Sequence, residues 1–132
     1  MEIITETNYV DHAERVIESM IIKDKTGRGR DKINLTTSKI RNLLSMVNNL
    51  QALIKQEKEP EISGELMSKV QYLKMRFAYE AGREQSVKDF VKKASIMEII
   101  EGIGKSKKKL LLFCNYMEAL VAYHRYKGGK DR

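Results

Sequence analysis

The chain has 132 residues, with 25 lysines and arginines against 18 aspartates and glutamates and a net charge of +7. One domain with a real hydrophobic core is expected at this length, and 42% hydrophobic with 33% charged residues excludes a disordered chain. The positive excess points to a polyanion such as nucleic acid, although ordinary solubility charge has the same appearance. Cys114 is the single cysteine, so an internal disulfide and a cysteine-based zinc site are excluded. Lying in an apolar run, it reads as a buried, inert thiol of a reducing, cytoplasmic protein. The opening MEIITETNYV lacks a basic segment followed by an apolar one, so no secretory signal is expected. The longest apolar stretch, Leu110 to Cys114, is too short to span a bilayer, and no membrane partner is expected.

Apolar residues recur at intervals of three and four, and there is one proline and no tryptophan. That pattern predicts an all-α chain: a single helical domain over residues 1–132, a compact bundle of about five helices with no sheet. The first helix is expected from about Tyr9 to Lys23, with Asp11 and Glu14 as a cap and its reciprocal partner. Ala13, Ile17, Met20 and Ile21 are its apolar stripe. Residues of about 24–34 read as a flexible basic loop carrying Lys25, Arg28, Arg30 and Lys32, with Gly27 and Gly29 loosening it. The second helix opens at Thr36 or Thr37 and continues to about Glu57, with Ile40, Leu43, Leu44, Val47, Leu50 and Ile54 inward. Pro60 separates it from a third helix running from near Ser63 to about Arg83, with Leu66, Val70, Leu73, Phe77 and Ala81 inward. A fourth begins at the capping-box pattern Ser86-Val-Lys-Asp89, buries Val87, Phe90, Val91, Ala94, Met97 and Ile100, and is broken by Gly102 and Gly104. The fifth runs from about Ser106 to Lys127 and is apolar almost all round, through Leu110, Leu111, Leu112, Phe113, Met117, Leu120, Val121 and Tyr123. Such a helix is central in its bundle or also packs on another chain. Residues of about 128–132 form a frayed tail.

Catalytic patterns are absent from the sequence. There is no HExxH, GxSxG, P-loop or GxGxxG, so no enzyme activity, cofactor or metal is expected. Glu98 and Glu101, three apart with no partner histidine, read as solvated acids. His124 reads as a residue at the core edge or one favouring the dipole at a helix C-terminus.

Three basic tracks stand out. Lys69, Arg76 and Arg83 are spaced by seven on the third helix, which keeps them on one face with a drift of about 20° per step. Their span of roughly 21 Å follows from the helical rise. Tyr72 and Tyr79 interleave with them. Cations at this spacing neutralise phosphates, and tyrosines stack on bases or support arginines. The plainer alternatives are solvated charge and tyrosines packed on neighbouring helices, the latter being the preferred reading of the rings. On the second helix Arg41, Asn48 and Lys55 share a face, and Lys39 follows the Thr-Thr-Ser run where helix amides favour an anion. Lys105, Lys107, Lys108 and Lys109 precede the fifth helix and read mostly as solvated surface.

LTTSKIRNLLSMVN from Leu35, YLKMRFAYEAGRE from Tyr72 and the C-terminal FCNYMEALVAYHR resemble, in order, segments of the small subunit of type III-A CRISPR effector complexes, the Csm complexes. The resemblance covers essentially the whole chain. It implies a non-catalytic helical subunit, present with further copies of itself, that stacks into an inner filament beside other subunits of the Csm complex. That filament faces the guide RNA–target RNA duplex, and its basic side chains touch the RNA backbone. Carried onto this sequence, Lys39 and Arg41 fall in the first segment and Arg76 and Arg83 in the second. Lys69 is a candidate on its spacing alone, and Arg28 and Arg30 lie outside the matching segments. Two alternatives stay open: the small subunit of another CRISPR effector type, and a structural helical adaptor that meets an acidic protein and no RNA.

Overall fold

The computed structural model describes residues 3–23 and 32–128. In chain order its helices are α1 (Tyr9–Ser19), α2 (Thr37–Ile54), α3 (Gly64–Arg83), α4 (Gln85–Lys93), α5 (Ile96–Ile103) and α6 (Lys107–Tyr126). Between α1 and α2, strands β1 (Ile21–Ile22) and β2 (Lys32–Ile33) pair antiparallel, with Ile21 opposite Ile33 and Ile22 opposite Lys32. Among the described residues the only strands are those of this ladder, in an otherwise helical fold, which corrects the expectation of no sheet. It also removes Lys32 and Ile33 from the expected loop. Two-residue strands are too short to display an alternation, and Ile21 extends the helix-period stripe of α1.

The core runs continuously from Ile4 to Leu120. Its centre is α6, which packs against α1, α2 and α5. Leu110, Phe113, Cys114, Tyr116, Met117, Ala119, Leu120 and His124 are all buried on it, so the all-round apolar pattern is used within the bundle. Each large apolar side chain buried this way contributes roughly 1.5–3 kcal/mol. Burial pushes the Cys114 thiol up to about 12, with a smaller push from Glu118, so it is protonated and unreactive at neutral pH. Beyond the core, Lys127 pairs with Glu14 and Glu18 of α1, each at 3.1 Å.

Caps fall where hydroxyls precede the helices. Thr36, Ser63 and Ser106 accept from the backbone N–H three residues on, at 3.3, 3.2 and 3.1 Å. Two expected caps are corrected. α1 begins after Asn8, whose side chain accepts instead from the Thr5 N–H at 2.6 Å, and Asp11 sits inside the first turn. α4 begins after Glu84 with no side-chain cap, so Ser86 lies within the helix. The lead-ins to α3 and α6 are clipped together, Ile62 N–H donating to the Lys105 carbonyl at 2.9 Å and Lys107 N–H to that of Pro60 at 3.0 Å.

The largest departure is the expected fourth helix, which is two. The chain breaks at Ala94–Ser95, where Ser95 adopts a left-handed φ of 56°. The Tyr116 hydroxyl of α6 donates to the Ala94 carbonyl at 2.9 Å, satisfying an acceptor that the break releases from the helix. The turn lets Val87, Phe90 and Val91 of α4 and Ile96, Ile99, Ile100 and Ile103 of α5 all reach the core. Gly104 at φ 54° then ends α5, a conformation glycine adopts without a Cβ penalty.

At the other end of α6, His124 is fully buried. Its Nε2 lies 2.6 Å from the Leu35 carbonyl, so that nitrogen carries the proton and donates, and the ring is a neutral member of the core. Burial, followed by the nearby Arg125 charge, holds it below the ordinary histidine value of 6.5 against the opposing effect of the Leu35 hydrogen bond. His12, its ring 5.7 Å from that of Tyr116, is lowered by burial and then by Arg15.

Two outcomes follow. Ser95→Gly relieves the left-handed strain and Ser95→Val deepens it, so the valine variant is expected to be less stable than the glycine variant by about 1–2 kcal/mol; thermal denaturation of the pair checks this. Both histidines titrate lower in the folded chain than in the unfolded one. As pH falls below about 6.5 the unfolded state takes up protons first, so stability present above that pH is lost on acidification. The melting midpoint should therefore fall between pH 7 and pH 5.5, and less so in His124→Gln, which keeps a donor for Leu35 but does not titrate. An unchanged midpoint in the parent protein across that range contradicts the assignment.

Candidate nucleic-acid interface

The antiparallel pairing of α2 and α3 places Lys39, Lys69, Arg76 and Arg83 along the seam of these two helices. The Thr36 cap fixes the start of α2, and three residues later Lys39 reaches the end of α3, its Nζ 2.9 Å from Glu84 Oε2. Farther along, Met46, Asn49, Leu50 and Leu53 of α2 and Lys69, Tyr72, Leu73 and Arg76 of α3 line one groove of about 300 Å³. Lys69 and Tyr72 thus face a cleft between the helices and are not merely outward.

Two arginines share one acid on the last two turns of α3. Arg76 Nη2 is 3.2 Å from Glu80 Oε2, and Arg83 Nη1 is 3.4 Å from Glu80 Oε1. Both guanidinium groups also lie over the Tyr79 ring, 5.4 and 5.5 Å from its centroid. Because Arg76 and Arg83 sit a turn before and a turn after Tyr79 and Glu80, one carboxylate and one ring hold two cations along the axis. Tyr72 and Tyr79 are 61% and 55% exposed. This corrects the preferred reading that they pack on neighbouring helices; with Met75 they form an exposed strip along α3. The apolar part of the side that α3 turns to the core ends at Phe77, and the next buried position is Glu80.

The structure does not gather every candidate. Arg41, two residues past Lys39 and so about 200° round the helix, is exposed on another side of α2. Asn48 and Lys55 are exposed with it. Of the Thr-Thr-Ser run, Thr36 is the cap, and the Thr37 hydroxyl is buried away from any anion. Arg28 and Arg30 lie outside the described residues. In the lysine cluster before α6, Lys107 donates to the Glu57 carbonyl and Lys108 pairs with Glu6 at 3.1 Å, so part of the cluster has structural partners. Glu101 pairs with Lys74 at 2.9 Å, while Glu98 is exposed.

Sequence reasoning passed over Glu80 and Glu84, the acids that hold the cations, and a strip of exposed lysines on α4, Lys88, Lys92 and Lys93. The available signals were a carboxylate three residues past Phe77, in register with the core stripe, and the i,i+4 spacing of Lys88 and Lys92. Chemically the face offers charge-assisted hydrogen bonds from fixed guanidinium groups and exposed aromatic rings, which suits phosphate more than any acid–base step. Among the described residues no cluster of three or more histidines, cysteines or carboxylates is arranged for a metal, and no helix is long and apolar enough to cross a membrane.

Comparison with known proteins finds sequence relatives that cover nearly the whole chain. The family model described as Csm2 Type III-A matches residues 13–130. The chain is 47% identical over 131 residues to the CRISPR system Cms protein Csm2 of Streptococcus thermophilus, covering 99% of this chain and 100% of that protein. It is 43% identical over 129 residues to the protein of the same name from Mycobacterium tuberculosis strain H37Rv, covering 98% of each. A third, from Enterococcus italicus, is 36% identical over 124 residues, covering 89% of this chain and 87% of that protein. The first two alignments run end to end, so the likeness includes every helix of the bundle.

Proposed function

The chain belongs to the Csm2 family of type III-A CRISPR systems, and from that membership we propose that it is the non-catalytic small subunit that lines the inner filament of the ribonucleoprotein and touches the guide–target RNA backbone. Lys39, Lys69, Arg76 and Arg83 are the principal contacts, with Arg41 engaging from the adjoining side of α2. Other Csm subunits and further copies of this chain are its protein neighbours, and the assembly works in the cytoplasm.

The observation that most supports this reading is the convergence of two separate sequence segments at one end of the α2–α3 pair. Lys39 comes from one, and Arg76, Tyr79 and Arg83 from the other; Lys39 pairs with Glu84, directly after Arg83 in the chain, and Arg76 and Arg83 pair with Glu80. The Lys39–Glu84 pair is exposed on both sides, and exposed ion pairs contribute little to stability, so folding alone gives weak reason to place a cation there. Contact with backbone rather than bases is the economical arrangement for such a subunit. Guide pairing reads the sequence, and a protein surface that reads charge and duplex shape serves every guide equally.

Alanine replacement of Lys39, Arg41, Lys69, Arg76 or Arg83, each in the assembled complex, is expected to weaken binding to unrelated guide–target pairs alike. Each should reduce the slope of log affinity against log salt by roughly 0.7–1, the value for one lost phosphate contact. Salt titrations against two pairs of different sequence check this. Parental affinity and slope in all five variants would assign the basic face to ordinary surface, and an adaptor that meets only protein would then be the better reading.

A further inference from the structure

We infer that Glu80 is a positioning residue of the cationic face: its buried carboxylate sets Arg76 and Arg83 on either side of Tyr79 in the arrangement that engages RNA. This rests on the RNA-contacting reading above. The buried side chains of α3 are Leu66, Val70, Leu73 and Phe77, at steps of four, three and four, and the next is Glu80, only 8% exposed. An aliphatic residue would continue that stripe. A carboxylate there must be desolvated; replacing a whole buried ion pair by apolar residues is often neutral or stabilising, and because Arg76 and Arg83 remain partly exposed, removing Glu80 leaves no buried unpaired charge behind. Stability of the fold therefore gives little reason for an acid at this position. Local rules broken without a stabilising gain tend to mark functional positions.

The geometry says what the acid does. Its two oxygens are divided between the arginines, Oε2 to Arg76 at 3.2 Å and Oε1 to Arg83 at 3.4 Å. Each pair uses one guanidinium nitrogen, and the arginine side chains remain 37% and 56% exposed, with further N–H donors for a ligand. Arginines held in this way lose less side-chain freedom when a phosphate arrives. Positioning and simple charge balance predict opposite signs. Removing a negative charge from a basic face should strengthen attraction to a polyanion, whereas releasing two positioned arginines should weaken it.

The test is equilibrium RNA binding by the assembled complex carrying Glu80→Gln or Glu80→Met, with melting of each isolated variant chain measured beside it. Glu65→Gln, an exposed position about four turns away on α3, controls for the added charge. Both Glu80 variants are expected to keep a cooperative thermal transition and to bind RNA about three- to tenfold more weakly, while Glu65→Gln binds no more weakly than the parent. In an Arg76→Ala/Arg83→Ala background, Glu80→Gln should have no further effect. Tighter binding by Glu80→Gln would make Glu80 a counter-charge and overturn the inference. So would an equal loss in the double-alanine background, or loss of the thermal transition in both Glu80 variants, since either assigns the residue to the fold. If the double-alanine change itself leaves binding intact, the RNA-contacting reading of these arginines fails first, and the inference with it.

Discussion

Helix α6 is buried around much of its circumference, and the positions of the other helices answer to that burial. Phe113, Tyr116, Met117 and Leu120 are enclosed by α1, α2 and α5. Two of its buried side chains carry polar atoms that need partners in a dry interior. The Tyr116 hydroxyl finds the Ala94 carbonyl and the His124 imidazole finds that of Leu35. These are places where backbone leaves regular structure: the break between α4 and α5, and the segment entering α2. One helix thus contributes apolar volume to the core and hydrogen-bonding groups to two chain reversals. Leu35 precedes the Thr36 cap, so the His124 contact lies one residue from the turn that aims Lys39 at Glu84.

The cationic face sits on this scaffold and contributes little to it. Its charges are arranged by acids rather than simply spread over the surface. Glu84 holds Lys39, Glu80 holds two arginines, and Tyr79 lies against both guanidinium groups. Flexible cations lose conformational freedom when a ligand fixes them, and cations already fixed lose less. On the proposed reading, in which further copies of the chain line the same RNA, each such contact need not be strong, because linked weak contacts combine into firm attachment.

Much of the fold was legible because buried helices repeat apolar residues with a period near 3.6. Ile40, Leu43, Val47, Leu50 and Ile54 on α2, and Leu66, Val70, Leu73 and Phe77 on α3, are buried as their spacing indicates. Thr36 was legible as a cap, and Ser63 and Ser106 as helix starts, for the same reason that Asp11 and Ser86 were misleading. Short polar side chains favour the whole first turn, and spacing alone does not separate cap from first turn. The break at Ser95 left no trace, since the apolar period continues through it and serine does not advertise a left-handed backbone as glycine does. In the candidate site the heptad of Lys69, Arg76 and Arg83 was visible, but not that Lys69 looks into a groove. Glu80 was hidden by its neighbour: Ala81 is the apolar residue nearest the expected core position, whereas the helix turns the glutamate inward.

The most direct test of the α2–α3 face is cross-linking of the assembled ribonucleoprotein to its guide and target RNA, with the modified peptides read by mass spectrometry. Adducts are expected on the segments carrying Lys39 and Lys69 to Arg83, with Tyr72 and Tyr79 among the modified residues. Adducts confined to the surfaces of α1, α5 or α6, with none on α2 or α3, would contradict the assignment of this face to RNA.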